Sequence, residues 1–253
     1  MPRALKGKFF IEVFSGSGRL SLSLISQDVA ALTFDIIDGE DCDLLRAEVR
    51  RRLYRLIRHQ GCLGVWWGYP CGTFSRARRG KKGMPGALRG EEGKSLYGLP
   101  GLNEKDQLKV EVANLLLTYM KSLCKYCHRR RVPFYIENPL TSRLWKMPEI
   151  KELLRLPHTH TIVFDFCQYG EAWRKSTQLL VSRHADLRCI EKRCRFGRGY
   201  VCSATGKRHQ QLTGAVGGTF WTARAQAYPK KLCRSVAAAI REHAITRFMS
   251  SFL

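Results

Sequence analysis

The chain has 253 residues, enough to bury a substantial core in one main domain with a small appendage, and its 44% hydrophobic and 26% charged content is that of a globular protein. No apolar run approaches the ~20 residues of a bilayer span, and MPRALKGKFFIEV lacks the apolar centre of a secretory signal, so no membrane partner is expected and the compartment is expected to be intracellular. The net charge of +23, from 44 Lys and Arg against 21 Asp and Glu, favours a polyanion as partner, with nucleic acid first and a merely solvated basic surface second.

In chain order, Lys8–Phe14 reads as a compact strand, followed at once by the turn Ser15-Gly16-Ser17-Gly18-Arg19 and an apolar helix over Leu20–Ile25. Strand, glycine turn and helix open a nucleotide-type α/β unit, in which glycines allow close approach of a ligand to helix N-terminal amides. A second strand, Ala30–Ile36, carries Asp35 near its end, where an acid typically accepts from a ribose diol. Asp43 follows, either as a cap for a helix over Leu44–His59 or as a ligand contact. That helix has an apolar stripe, with its arginines on a solvated face.

Leu63–Trp67 reads as a buried strand that breaks at Gly68 and Pro70, leaving Cys71 on the first turn beyond it. In an open α/β sheet ligands bind beyond the carboxyl ends of strands, so this position suits a nucleophile. A long basic, glycine-containing stretch runs from Arg76 to Asn103; Arg76, Arg78, Arg79, Lys81 and Lys82 make it a candidate mobile loop over a phosphate backbone. Lys105–Arg131 reads as one long helix containing Cys124-Lys-Tyr-Cys127-His128, the pattern of c-type haem attachment, against which the helical setting counts. Pro133–Ile136 is another short strand, and it ends in Glu137-Asn138-Pro139.

Thr159–Phe166 and Ser176–Val181 form a β-hairpin at the sheet edge, with Gly170, Arg174 and Lys175 at its tip. Residues 184–223 are polar and basic and form a separate element. Tyr228-Pro229 starts a last helix from Lys230 to about Phe248. Within the polar element, Cys189-x4-Cys194-x7-Cys202-x6-His209 has the residue types of a structural zinc site, which a core-poor segment needs; Cys167 at the hairpin can stand in for one ligand.

The order Phe14-x-Gly16-x-Gly18, Gly68-x-Pro70-Cys71-x-x-Phe74-Ser75, Glu137-Asn138, the Gly/Arg hairpin and Ala225-Gln226-Ala227-Tyr228-Pro229 resembles that of the cytosine-5 DNA methyltransferases, over residues 8–182 and 224–245. The resemblance implies an α/β, Rossmann-like S-adenosylmethionine-dependent methyltransferase fold with a mixed sheet. Residues 1–183 and 224–253 would form the catalytic domain, and 184–223 a small irregular basic target-recognition subdomain. It implies Cys71 as the nucleophile on cytosine C6, Glu137 at the ring N3 and exocyclic amine, and Arg174 bracing base and nucleophile with Lys175 beside it. Phe14, Gly16 and Gly18 would line S-adenosylmethionine, Asp35 would hold its ribose and Asp43 its adenine amine; Gly68 and Pro70 would shape the pocket wall, with Gln226 and Ala227 returning the chain to it. The partner would be DNA bound by a monomer, in the nucleus of a eukaryote or the cytoplasm otherwise.

The chain departs from the family pattern in Glu12 for Asp, Arg19 for Gly, Pro139 for Val, Gln226 for Asn, the hairpin layout and the short 184–223 region, so strong site specificity is not expected. RNA as substrate, or a catalytically silent nucleic-acid-binding module, are the alternative readings.

Overall fold

The computed structural model describes residues 3–78, 86–183, 187–195 and 201–250. A mixed six-stranded sheet forms its centre: β1 (Phe9–Val13), β2 (Ala30–Phe34), β3 (Cys62–Trp67), β4 (Phe134–Pro139), β5 (Thr159–Asp165) and β6 (Ser176–Ser182), in the order β2-β1-β3-β4-β6-β5. The first four are parallel, and β6 runs antiparallel to both β4 and β5. Helices α1 (Arg19–Ile25), α2 (Ala47–Arg58), α3 (Glu104–Arg129), α4 (Pro148–Leu154), α5 (Trp221–Arg224) and α6 (Lys230–Met249) complete an α/β architecture compatible with a Rossmann-like fold.

The central strands are apolar on both sides because helices cover both faces. Alternation along each strand sends Ile11, Val65, Trp67, Phe134 and Ile136 into one core with α2, α3 and α4. Phe10, Trp66 and Tyr135 enter the opposite core with α1 and α6. Asn103 caps α3, its side chain accepting from the Asp106 N–H at 2.9 Å.

Three local expectations are corrected. Asp43 does not cap the second helix: it accepts from Leu45 N at 2.9 Å in a closed turn, and α2 starts only at Ala47. Cys124 and Cys127, on α3 itself, are fully buried core residues, in keeping with the reading against haem attachment. The stretch from Arg76 is stitched to the body on its described part. Arg89 is wholly buried, with Phe74 beneath its guanidinium at 3.8 Å. It donates to Thr73 Oγ1, Leu96 O, Asn114 Oδ1 and Val110 O at 2.7–3.3 Å. Leu187 and Ile190 pack into the α6 core, so the region expected to stand apart from 184 onward is joined to the main domain there. Among the described residues no helix is long and apolar enough to cross a membrane.

Candidate active site

The chain passes from β1 to β2 on one side and from β2 across to β3 on the other, so the crevice beyond the carboxyl ends of β1 and β3 is the topological switch point. A cavity of about 330 Å³ opens there, walled by Phe14, Gly68, Pro70, Val112 and Leu116 and flanked by Asp35 and Asp43. Five of the nine residues expected to hold a cofactor therefore line one pocket. Phe14 stands at φ 57°, a left-handed conformation costly for a side-chain-bearing residue and typical of functional turns. Gly16 and Gly18 continue the turn with φ 49° and 63°, and Asp35 Oδ2 accepts from Gly16 N at 2.8 Å, tying the end of β2 to the glycine loop. At Gly68 a Cβ would lie 2.7 Å from Phe14 O and 2.9 Å from the Tyr228 hydroxyl, so only glycine fits.

Beside this pocket, the ends of the paired strands β3 and β4 present Cys71 and Glu137. Asn138 locks the two ends together by donating to Tyr69 O at 2.7 Å. Glu137 is 5% exposed. Its Oε2 accepts from the Tyr228 hydroxyl at 3.0 Å, and that hydroxyl accepts from Trp66 Nε1 at 3.1 Å. Among the described residues its Oε1 has no hydrogen-bond partner, and Lys175 Nζ lies 3.9 Å away. Lys175 is steadied over the Phe166 ring at 4.6 Å.

Burial pushes the Glu137 carboxyl above its ordinary range, against the opposing pull of Lys175 and of the Tyr228 hydrogen bond. Burial likewise raises the Cys71 thiol; Lys175 draws it down and Glu137 pushes it up. The three groups form one electrostatic unit. A neutral carboxyl there can donate a hydrogen bond, and its proton removes the charge that opposes a thiolate at Cys71.

The structure relocates other expected residues. Arg174 does not face the carboxyl: its Nε lies 3.4 Å from buried Asp165 Oδ2, because successive residues entering β6 point to opposite sides. Lys175 takes the place expected for Arg174. Gln226 is exposed and, with Ala227, stands outside the pocket wall, since the α5 turn (Gln226 N to Ala223 O, 3.1 Å) leads the chain past it. Arg76 pairs with Glu91, and Arg78 Nη2 lies 3.7 Å from Asp106. Arg79, Lys81 and Lys82 lie outside the described residues.

Sequence reasoning missed the side chain of Tyr228. The signal was an aromatic hydroxyl directly before the proline that starts α6, in a segment read only for its backbone.

Of the expected zinc ligands, Cys194, Cys202 and His209 converge with Cys167; Cys189 is exposed on the short helical turn Leu187–Ile190 and does not join them. No protein-family model matches the sequence, and no curated protein is significantly similar to it.

Proposed function

We propose that this chain is an S-adenosylmethionine-dependent cytosine-5 methyltransferase acting on DNA. The observation that carries the reading is the convergence of Cys71, Glu137 and Lys175 at adjacent strand ends, beside a pocket at the switch point. The pocket suits a nucleoside-type cofactor, with apolar walls for a base, carboxylates for hydroxyl and amine donors, and glycine turns that admit a polar tail. Phe14, Asp35, Asp43, Gly68 and Pro70 would hold S-adenosylmethionine, which supplies an electrophilic methyl group when bound.

Cytosine C5 is a poor nucleophile, and the residues present remedy this. The Cys71 thiolate, favoured by Lys175, adds to C6 of a base turned out of its stack. Glu137 gives its proton to N3 as electron density moves there, and the ring becomes an enamine whose C5 takes the methyl. A water molecule takes the C5 proton, the C5–H electron pair forms the C5=C6 bond as the C6–S bond breaks to release the Cys71 thiolate, and the N3 proton returns to Glu137, which restores the aromatic ring and the enzyme. The +23 charge supports a polyanionic substrate.

DNA containing 5-fluorocytosine, incubated with cofactor, should form a covalent adduct with the chain, because the fluorine cannot leave as the C5 proton does. Cys71→Ser should form none. An adduct that survives in Cys71→Ser, or salt-sensitive binding with no adduct in the parent chain, would overturn the reading, the second outcome in favour of a binding module. An adduct on RNA alone would reassign the substrate.

A further inference from the structure

The described residues of 191–223 hold almost nothing around which a small element could fold. Among their described members only Cys194 and Cys202 are buried, and the two-residue strands β7 (Ala215–Val216) and β8 (Thr219–Phe220) are exposed throughout. With so little apolar burial, ordering such a segment needs a staple. Among the described residues its buried thiols, Cys194 and Cys202, form a cluster with Cys167 of the turn after β5, apart from both main cores.

His209 closes the group. Its Nε2 lies 3.6 Å from Cys194 Sγ, and the four donor atoms all lie within 4.8 Å of one another. A tetrahedral zinc site sets S and N ligands about 3.5–3.8 Å apart, so closure needs about an ångström at most. N–H and O–H donors already surround the sulfurs, as they do around metal-bound thiolates. Ser203 N and Oγ stand 3.5 and 3.7 Å from Cys194 Sγ, and Gln168 Nε2 lies 3.6 Å from Cys167 Sγ and 3.9 Å from Cys202 Sγ.

We propose that Cys167, Cys194, Cys202 and His209 bind one structural zinc ion, and that this ion fastens the 191–223 element to the turn that leads into the active-site hairpin. Three thiolates and an imidazole favour zinc over hard cations, and four protein ligands leave no open position for catalysis. Cys167 comes from the turn Phe166–Tyr169 directly after β5, whereas Cys202 and His209 flank the small turn closed by Cys202 N to Lys207 O at 2.8 Å. Asp165 carries the connection inward: fully buried, it accepts from Cys194 N at 2.7 Å and from Ser176 Oγ. Arg174 Nε lies 3.4 Å from the same carboxylate. The ion thereby fixes both ends of the segment that delivers Lys175 to Glu137.

The test is metal analysis of the purified full chain, independent of any methyl transfer. One zinc per chain is expected, and cobalt substitution should give thiolate-to-metal charge-transfer bands and strong tetrahedral d–d bands. Cys167→Ser and Cys202→Ser should lose the metal, and Cys189→Ser should keep it. A chain purified without stoichiometric zinc that also fails to take up cobalt, or Cys189→Ser losing metal as completely as Cys167→Ser, would overturn the ligand set. Should a variant misfold, chelation of the unaltered chain decides the role: proteolysis within 187–223 should accelerate about tenfold or more and return to baseline on adding zinc. Unchanged proteolysis after metal removal would overturn the fastening.

Discussion

The Tyr228 hydroxyl stands 3.0 Å from Glu137 Oε2 and is itself the acceptor for Trp66 Nε1, so a residue 91 positions downstream opposes the rise that burial gives the carboxyl. Tyr228→Phe removes a donor that holds the carboxyl's affinity for its proton down. The expected result is a Glu137 carboxyl that stays protonated to higher pH than in the parent chain. Difference infrared spectroscopy of the protonated C=O stretch, assigned with Glu137→Gln, reads this directly. The variant also strands the buried indole N–H, and should lose about 1–3 kcal/mol of stability in denaturant unfolding.

Lys175, and not Arg174, is the cation that favours a Cys71 thiolate. Lys175→Met should therefore raise the thiol's pKa further and slow its alkylation near pH 8 about tenfold, measured by peptide-resolved mass spectrometry. Arg174→Met should change that rate by less than about twofold while weakening the hairpin, because it removes a partner of buried Asp165. Equal slowing in the two variants would refute the assignment.

Glu12 on β1 is fully buried, and its Oε2 accepts from both N and Oγ of Ser21, pinning the start of α1 to the sheet. Burial pushes this carboxyl from an ordinary 4.5 up to about 7, with the Ser21 hydrogen bonds opposing and Asp35 adding to the rise. Its folded-state value lies above the unfolded one, so the unfolded chain releases the proton first. Stability should fall as pH rises from 4.5 to 7, by about 3 kcal/mol for this group, and level off above. Glu12→Gln should remove that slope in denaturant unfolding followed across this pH range.

What was legible in the sequence follows from which signals are local. The runs around Ile11, Trp66 and Tyr135 are apolar on both faces and end at glycine or proline, so the parallel strands could be read directly, and with them the strand-end positions of Cys71 and Glu137. Lys175 against Arg174 depends on where β6 begins, because a shift of one residue exchanges the two faces. Cys167 lies far upstream of Cys194, so a reading by spacing put Cys189 first and Cys167 only as a stand-in; folding of the β5 turn against the small element is what brings Cys167 beside Cys194, Cys202 and His209. Tyr228 meets Glu137 only through the packing of α6 on the sheet.

Arg89 carries the same lesson to a test. By composition it belongs to the basic stretch expected to meet phosphates, yet it is wholly buried, and burial lowers its guanidinium to about 10. Its partners span three segments: Thr73 beside the Cys71 turn, the Leu96 carbonyl, and Asn114 with the Val110 carbonyl on α3. Arg89→Met keeps much of the stem's packing over Phe74 but strands these acceptors, and should cost about 3 kcal/mol or more. Because Thr73 is two residues from Cys71, peptide-resolved alkylation of Cys71 should also lose its single-phase time course. Neutralising exposed Lys94 on the same stretch should leave both stability and alkylation unchanged within about 0.5 kcal/mol and twofold, respectively. A matching loss in the Lys94 variant would mean that general charge, and not the buried guanidinium, holds this loop against the site.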